Sequence, residues 1–203
     1  MEDREIILLK VSGQDKPGVT AGLTSVLATY DAVILDIGQA DIHDTLSLGI
    51  LFQIKTGSTS GPVLKDLLFK GYELGIKVKF IPISISDYEN WVGAQRKQRY
   101  IINILGETLT AAQLAAVTKI MSNQHLNIDS IIRLTGRTSI IEIEENPRSC
   151  VQLSVTGEVV DKSSMTASFM EISRTLNVDI SFQEDNMYRR NRRLVCCDMD
   201  STL

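Results

Sequence analysis

The sequence predicts an α+β chain built from two successive βαββαβ units. Three observations carry this expectation. Strand-length apolar runs alternate with apolar positions at helical spacing through residues 1–86. The same order returns 94 to 103 residues later. No apolar run approaches the ~20 residues that a membrane span needs.

Residues 6–12 are β-rich and free of breakers, so they read as the first strand. Gly13, Gln14, Asp15, Lys16, Pro17 and Gly18 form a turn, with φ preset at Pro17 and close backbone approach allowed at Gly18. Val19, Leu23, Val26, Leu27 and Tyr30 then recur on one helical face. Residues 32–42 and 46–55 are two strands joined by a short hairpin connection at His43, Asp44 and Thr45. In the second of them Leu46, Leu48, Ile50, Phe52 and Ile54 alternate, which gives it one buried face. Residues 57–62 read as a loop, and Val63, Leu64, Leu67, Leu68 and Tyr72 mark the apolar face of a second helix. A strand over 76–85 closes the unit, and Pro82 within it points to a sheet edge or a bulge. This order is the ferredoxin-like pattern.

The pattern then repeats. Residues 100–105 are a strand, followed by a helix with Leu114, Val117, Ile120 and Met121 on one face. Strands follow over 128–134 and 150–156. A helix over 163–176 carries Met165, Phe169, Ile172 and Leu176, and the last strand is 178–182. A shift of 94 places Leu23 on Val117 and Ile34 on Ile128, while a shift of 103 places Ile50 on Leu153. The difference marks an insertion of about nine residues within 136–149. The expected organisation is a first unit over 1–86, a polar linker over 87–98 with a helix as its alternative reading, a second unit over 99–185, and a stretch over 186–203 with no counterpart.

Charge and cysteine usage narrow the setting. The net charge of −4 excludes a chain that binds nucleic acid along its whole surface. Arg189, Arg190, Arg192 and Arg193 read as a solvated hinge. Cys150, Cys196 and Cys197 are too few and too clustered for a disulfide framework, so a reducing cytoplasm is expected. The acidic N-terminus does not fit a secretory signal, and no membrane association is expected. His43 and His125 have no acidic or thiol partners at metal-ligand spacing.

The sharpest chemistry lies at the end. The apolar run Leu194, Val195, Cys196, Cys197 leads into Asp198-Met199-Asp200-Ser201-Thr202. A carboxylate at a strand's C-terminal edge faces the ligand crevice of an α/β sheet. It can attack phosphorus, and a second carboxylate two residues on can move the leaving-group proton. An acidic turn after a strand is the plainer reading. The motif resembles the first motif of the haloacid dehalogenase superfamily, and its wording is similar to the phosphoserine phosphatase family. That resemblance implies that 186–203 contain the first strand of a truncated α/β phosphatase domain. It also implies Asp198 as nucleophile, Asp200 as general acid/base, and Mg²⁺ held by the Asp198 side chain and the Asp200 backbone carbonyl. The family's phosphate-binding Ser or Thr, its Lys and its final acidic ligands are not in these residues, so the chain alone is expected to be inert toward O-phospho-L-serine.

The turn at Gly13, Asp15, Lys16, Pro17 and Gly18 resembles the amino-acid-binding loop of ACT domains, and some bacterial phosphoserine phosphatases carry two ACT units ahead of the catalytic domain. Backbone N–H groups at a helix start suit a carboxylate, and Asp15 suits an ammonium group. A turn that merely needs Pro and Gly explains the same residues. The second copy lacks the Pro-Gly but has Asn127 at its next strand, where serine-binding ACT domains often carry Asn; the first copy has Val33 there. The resemblance implies L-serine or another amino acid as effector and a homodimer formed through ACT sheet edges. Two readings follow: the regulatory N-terminal region of a phosphoserine phosphatase, cut just past its nucleophile, or a stand-alone tandem ACT regulator without catalysis.

Overall fold

A computed structural model describes residues 4–54, 60–94, 97–137 and 148–186. The chain divides after Ala94 into two compact units. The first runs β1 (Glu5–Gln14), α1 (Val19–Thr29), β2 (Val33–Ile42), β3 (Thr45–Ile54), α2 (Ser60–Leu74) and β4 (Lys77–Ile83), and ends with α3 (Ile85–Ala94). The second runs β5 (Arg99–Gly106), α4 (Ala111–Asn123), β6 (Asn127–Arg133), β7 (Ser149–Thr156), α5 (Lys162–Leu176) and β8 (Asp179–Glu184).

Both sheets are antiparallel and share one topology, β2-β3-β1-β4 and β6-β7-β5-β8. This is the expected ferredoxin-like order, twice. In the first unit Ile7, Leu9 and Val11 of β1 and the five alternating residues of β3 point to one face. Val19, Leu23 and Leu27 of α1 and Val63 and Leu67 of α2 cover that face. Each such side chain taken out of water contributes ~1.5–3 kcal/mol before conformational entropy is subtracted. In the second unit Ile102 and Ile104, Leu153 and Val155, Val117 and Met121, and Met165 and Phe169 do the same.

The repeat extends to irregularities. β2 shifts register against β3 between Ile34 and Asp36, and β6 shifts against β7 between Ile128 and Ser130. Each bulge adds one residue to an edge strand, and the two lie 94 residues apart. The β2–β3 turn is two residues, with His43 left-handed at φ 57. Pro82 sits on β4, an edge strand, as expected.

Two expectations are corrected. Ser60, Gly61 and Pro62 are helical rather than loop, because proline is tolerated in a first helical turn, where its missing N–H has no intrahelical partner. Tyr72 is 87% exposed and Leu68 is more than half exposed, so the buried stripe of α2 is Val63, Leu67 and Gly71. Gly71 is there for contact: a Cβ on it would lie 2.9 Å from Val78 Cγ1. In the 87–98 segment the helical alternative holds for Tyr88 and Trp91, which lie on α3; its start is capped by Ser84, whose Oγ accepts from the Asp87 N–H at 3.0 Å.

Candidate functional site

The loop 13–18 joins the end of β1 to α1, and each residue has a local cause. Gly13 pairs with Leu46 in the sheet, and a Cβ on it would sit 3.0 Å from Ile76 Cγ2 and 3.2 Å from Ile76 Cα. The Asp15 N–H donates to the Asp44 carbonyl at 2.9 Å, which fastens the loop to the β2–β3 turn. The Val19 N–H reaches the Lys16 carbonyl at 3.4 Å, the long end of such bonds. Gly18 is the α1 N-cap, with φ 94 in the left-handed region. Glycine has no side-chain acceptor, so the Thr20 and Ala21 N–H groups of the first turn are left to solvent or to a ligand. Asp15, Lys16, Pro17 and Gly18 are exposed. Beside them Thr20 Oγ1 donates to Gln39 Oε1 at 3.1 Å, joining α1 to β2. No sequence motif singles out Thr20 or Gln39; only the folding of β2 beside α1 brings them together.

The equivalent loop of the second unit is closed by its own side chains. Thr110 caps α4: its Oγ1 accepts from the Gln113 N–H at 3.2 Å, and Gln113 Oε1 accepts from the Thr110 N–H at 2.8 Å. Gln113 is buried, and its Nε2 donates to the Leu176 carbonyl at 3.0 Å. The two units therefore differ at this junction: in the second a side-chain box takes up the Thr110 and Gln113 N–H groups, and in the first no side chain caps the helix.

Asn127 opens β6 at the far end of α4, a helix of 13 residues. That separates it from the 106–110 loop by ~20 Å. Its Nδ2 donates to Asp129 Oδ1 at 3.0 Å, which also accepts from Thr156 Oγ1 at 3.0 Å. It lines an open depression of about 450 Å³ with Thr118, Ser122 and His125. Val33 stands at the far end of α1 in the same way. No single unit can join its helix-start loop to its β2 or β6 start.

Asp198 and Asp200 lie outside the described residues. Among the described residues no group of three His, Cys, Asp or Glu side chains is placed to hold a metal ion. Cys150 is a free, partly buried thiol. None of the described helices is long and apolar enough to cross a membrane.

Comparison with known proteins follows these divisions. The ACT domain family is matched over residues 5–81, and a second ACT domain family model matches residues 99–183. A phosphoserine phosphatase of Streptomyces coelicolor is 28% identical over 204 aligned residues, covering 99% of this chain and 45% of that protein. Phosphoserine phosphatase SerB2 of Mycobacterium tuberculosis is 25% identical, covering 97% of this chain and 45% of that protein. The chain thus spans under half the length of these relatives. A crystal structure of an unknown protein from Galdieria sulphuraria is similar with TM-score 0.71 at 14% identity, covering 90% of this chain and 99% of that one. At that identity the likeness concerns the fold alone.

Proposed function

The chain belongs to the ACT-domain family, with one such domain in each unit, and from that premise we propose that it is the regulatory region of a phosphoserine phosphatase. One observation supports this most: alignment to two phosphoserine phosphatases runs along 99% and 97% of the chain while taking in 45% of each relative. In this reading Asp198 is the nucleophile of the whole enzyme, Asp200 its general acid/base, and both contribute to holding Mg²⁺, which would neutralise charge on the phosphate. The substrate is O-phospho-L-serine, in a reducing cytoplasm. The effector is an amino acid, L-serine first among candidates, bound at the loop 13–18. The start of α1 at Gly18, which no side chain caps, and the exposed Asp15 favour the first unit over the second, whose helix start is capped by Thr110 and Gln113.

The experiment has two arms. Phosphate release from O-phospho-L-serine by the 203-residue chain is expected to be nil, and the gene extended through its downstream reading frame should yield an Mg²⁺-dependent activity lost on Asp198→Asn. Calorimetry with L-serine on the chain is expected to give heat that disappears in Asp15→Ala. Absence of activity in the extended protein would leave the stand-alone tandem ACT regulator as the surviving reading. A homodimer is proposed through β2, an edge strand on which Val33, Ile34, Ile37 and Ile42 are exposed. Light scattering that finds only a ~22 kDa species at high concentration would reject it.

A further inference from the structure

The face of the first sheet turned away from α1 and α2 carries a charge arrangement the fold does not ask for. Lys10 lies between the core residues Leu9 and Val11, so its side chain stands on the opposite face; Lys77 and Lys79 flank the core-packed Val78 in the same way. Lys10 and Lys79 are directly opposite one another on β1 and β4, and Lys77 pairs with Ser12. Directly opposed strand residues have Cβ atoms ~5 Å apart, and like charges so placed are destabilising. Lys77 lies ~6.6 Å from Lys79 along the same face of β4. All three lysines are exposed, and none makes an ion pair or side-chain hydrogen bond among the described residues.

The second unit shows that the fold can do without this. Where Lys10 sits between Gly49 and Lys79, Asn103 sits between Gln152 and Ser181, and Asn103 Nδ2 donates to Ser181 Oγ at 3.0 Å. The residues next to the lysines are also distinctive. Gly38 and Gly49 face each other in register, with Ala40 and Ser47 as the next pair. Neither glycine has a positive φ, and a Cβ on Gly38 would meet nothing within 4 Å. Glycine in a strand is less stable than alanine there and often marks a place where something approaches the backbone closely. The Ser12 and Ser47 hydroxyls point to this same face and have no hydrogen-bond partner among the described residues. The one carboxylate on this face of β1–β4, Asp36, is two strands from Lys10 and accepts from the Ile37 N–H at 2.9 Å.

We propose that this end of the open sheet face is a site for a small phosphate monoester. Lys10, Lys77 and Lys79 neutralise the phosphate, Ser12 and Ser47 donate to its oxygens, and the strip at Gly38 and Gly49 seats the organic part. Charge complementarity sets the occupant's class: three ammonium groups gathered within one small patch match a single dianion. A single-stranded nucleic acid would call for aromatic stacking platforms, and this face has no aromatic side chain among its strand residues.

The test uses the full chain and two substitutions. Glycerol 2-phosphate and inorganic phosphate are titrated by calorimetry and thermal shift, with sodium chloride at matched ionic strength. Glycerol 2-phosphate is expected to raise the melting temperature and to bind several-fold more tightly than inorganic phosphate, in the millimolar range for so exposed a site. The double variant Lys10→Asn with Lys79→Ser copies the second unit; it should melt at or above the parent temperature and bind at least tenfold more weakly. Lys77→Gln, outside the opposed pair, should keep the parent melting temperature and also weaken binding. The proposal falls if chloride reproduces the shift, if both variants bind like the parent, if the double variant melts well below it, or if hexa-aspartate or a single-stranded oligonucleotide outbinds glycerol 2-phosphate.

Discussion

Replacing Gly13 by alanine separates a packing role from a binding role in the candidate loop. The new Cβ would stand 3.0 Å from Ile76 Cγ2, 3.2 Å from Ile76 Cα and 3.3 Å from Ile76 Cβ. Carbon atoms pack best at ~3.5–4.0 Å, so each contact is short by a few tenths of an ångström. Ile76 cannot turn away easily: it is 8% exposed, β-branched and part of the first core. Its Cα is main chain, held between Gly75, with φ 68, and the start of β4. Overpacking of this kind costs about 1–3 kcal/mol. Taking ~2 kcal/mol, a unit of about 90 residues should melt roughly 8–16 °C lower. Ile76→Ala removes Cγ2 and is itself destabilising by ~2–5 kcal/mol through the cavity it leaves. Combined with Gly13→Ala it should cost less than the sum by about 1 kcal/mol, since the shortest contact is then gone. Circular dichroism melts of the four proteins complete the cycle. An unchanged midpoint for Gly13→Ala, or strict additivity, would refute the packing argument and return Gly13 to the ligand.

Further expectations concern single contacts. Gly157 has φ 145, and a Cβ there would lie 2.8 Å from the His125 carbonyl oxygen, so Gly157→Ala should lose more than ~3 kcal/mol in urea unfolding; a loss below ~1 kcal/mol would contradict the geometry. Thr110→Ala removes one half of the α4 capping box and should cost ~1 kcal/mol, with Thr110→Ser close to the parent in the same titration. Tyr30 Oη donates to Asp66 Oδ2, and that bond, with a smaller contribution from burial and the Asp66 charge, raises the tyrosine pKa above its ordinary 10. The bond's contribution is therefore complete below pH 10 and is lost as pH climbs through the raised value. Tyr30→Phe should be less stable than the parent at neutral pH, and the gap should close in alkaline melts; a gap independent of pH would rule this out.

Most of the fold was legible because period-two and helical apolar spacing reports burial directly. Leu46, Leu48, Ile50, Phe52 and Ile54 alternate in the sequence and all five are buried. The two shifts of 94 and 103 anticipated the two sheets, and their shared topology bears them out. Helix boundaries were less legible where breaker residues dominate. Pro62 reads as a stop, yet a proline in a first turn is compatible with a helix, and only the chain after it decides. The cap at Ser84 and Asp87 was readable as a helix start but weak beside a polar segment. At the candidate loop the residue types were visible and their causes were not. Gly13 looks like a binding glycine in sequence; the distance to Ile76 depends on a residue 63 positions away. The difference between the units could not be read from Gln113, since its reach to Leu176 exists only in the folded unit.

The paired bulges have a bearing on how the chain tolerates changes in length. Loss of one residue from a strand ordinarily reverses every side chain beyond it. Here β2 and β6 each hold one residue in surplus, at Leu35 and at Asp129, with Ile34 opposite Phe52, Asp36 opposite Leu51, Ile128 opposite Val155 and Ser130 opposite Ser154. Deleting either surplus residue would leave the partners on both sides in place and convert the irregular ladder to a regular one. Strands β2 and β6 thus contain a reserve of length that β1 and β5, with unbroken registers on both sides, do not. Single-codon deletions in this lineage should accumulate at those two positions, and a survey of related genes would find gaps there before it found them in β1 or β5.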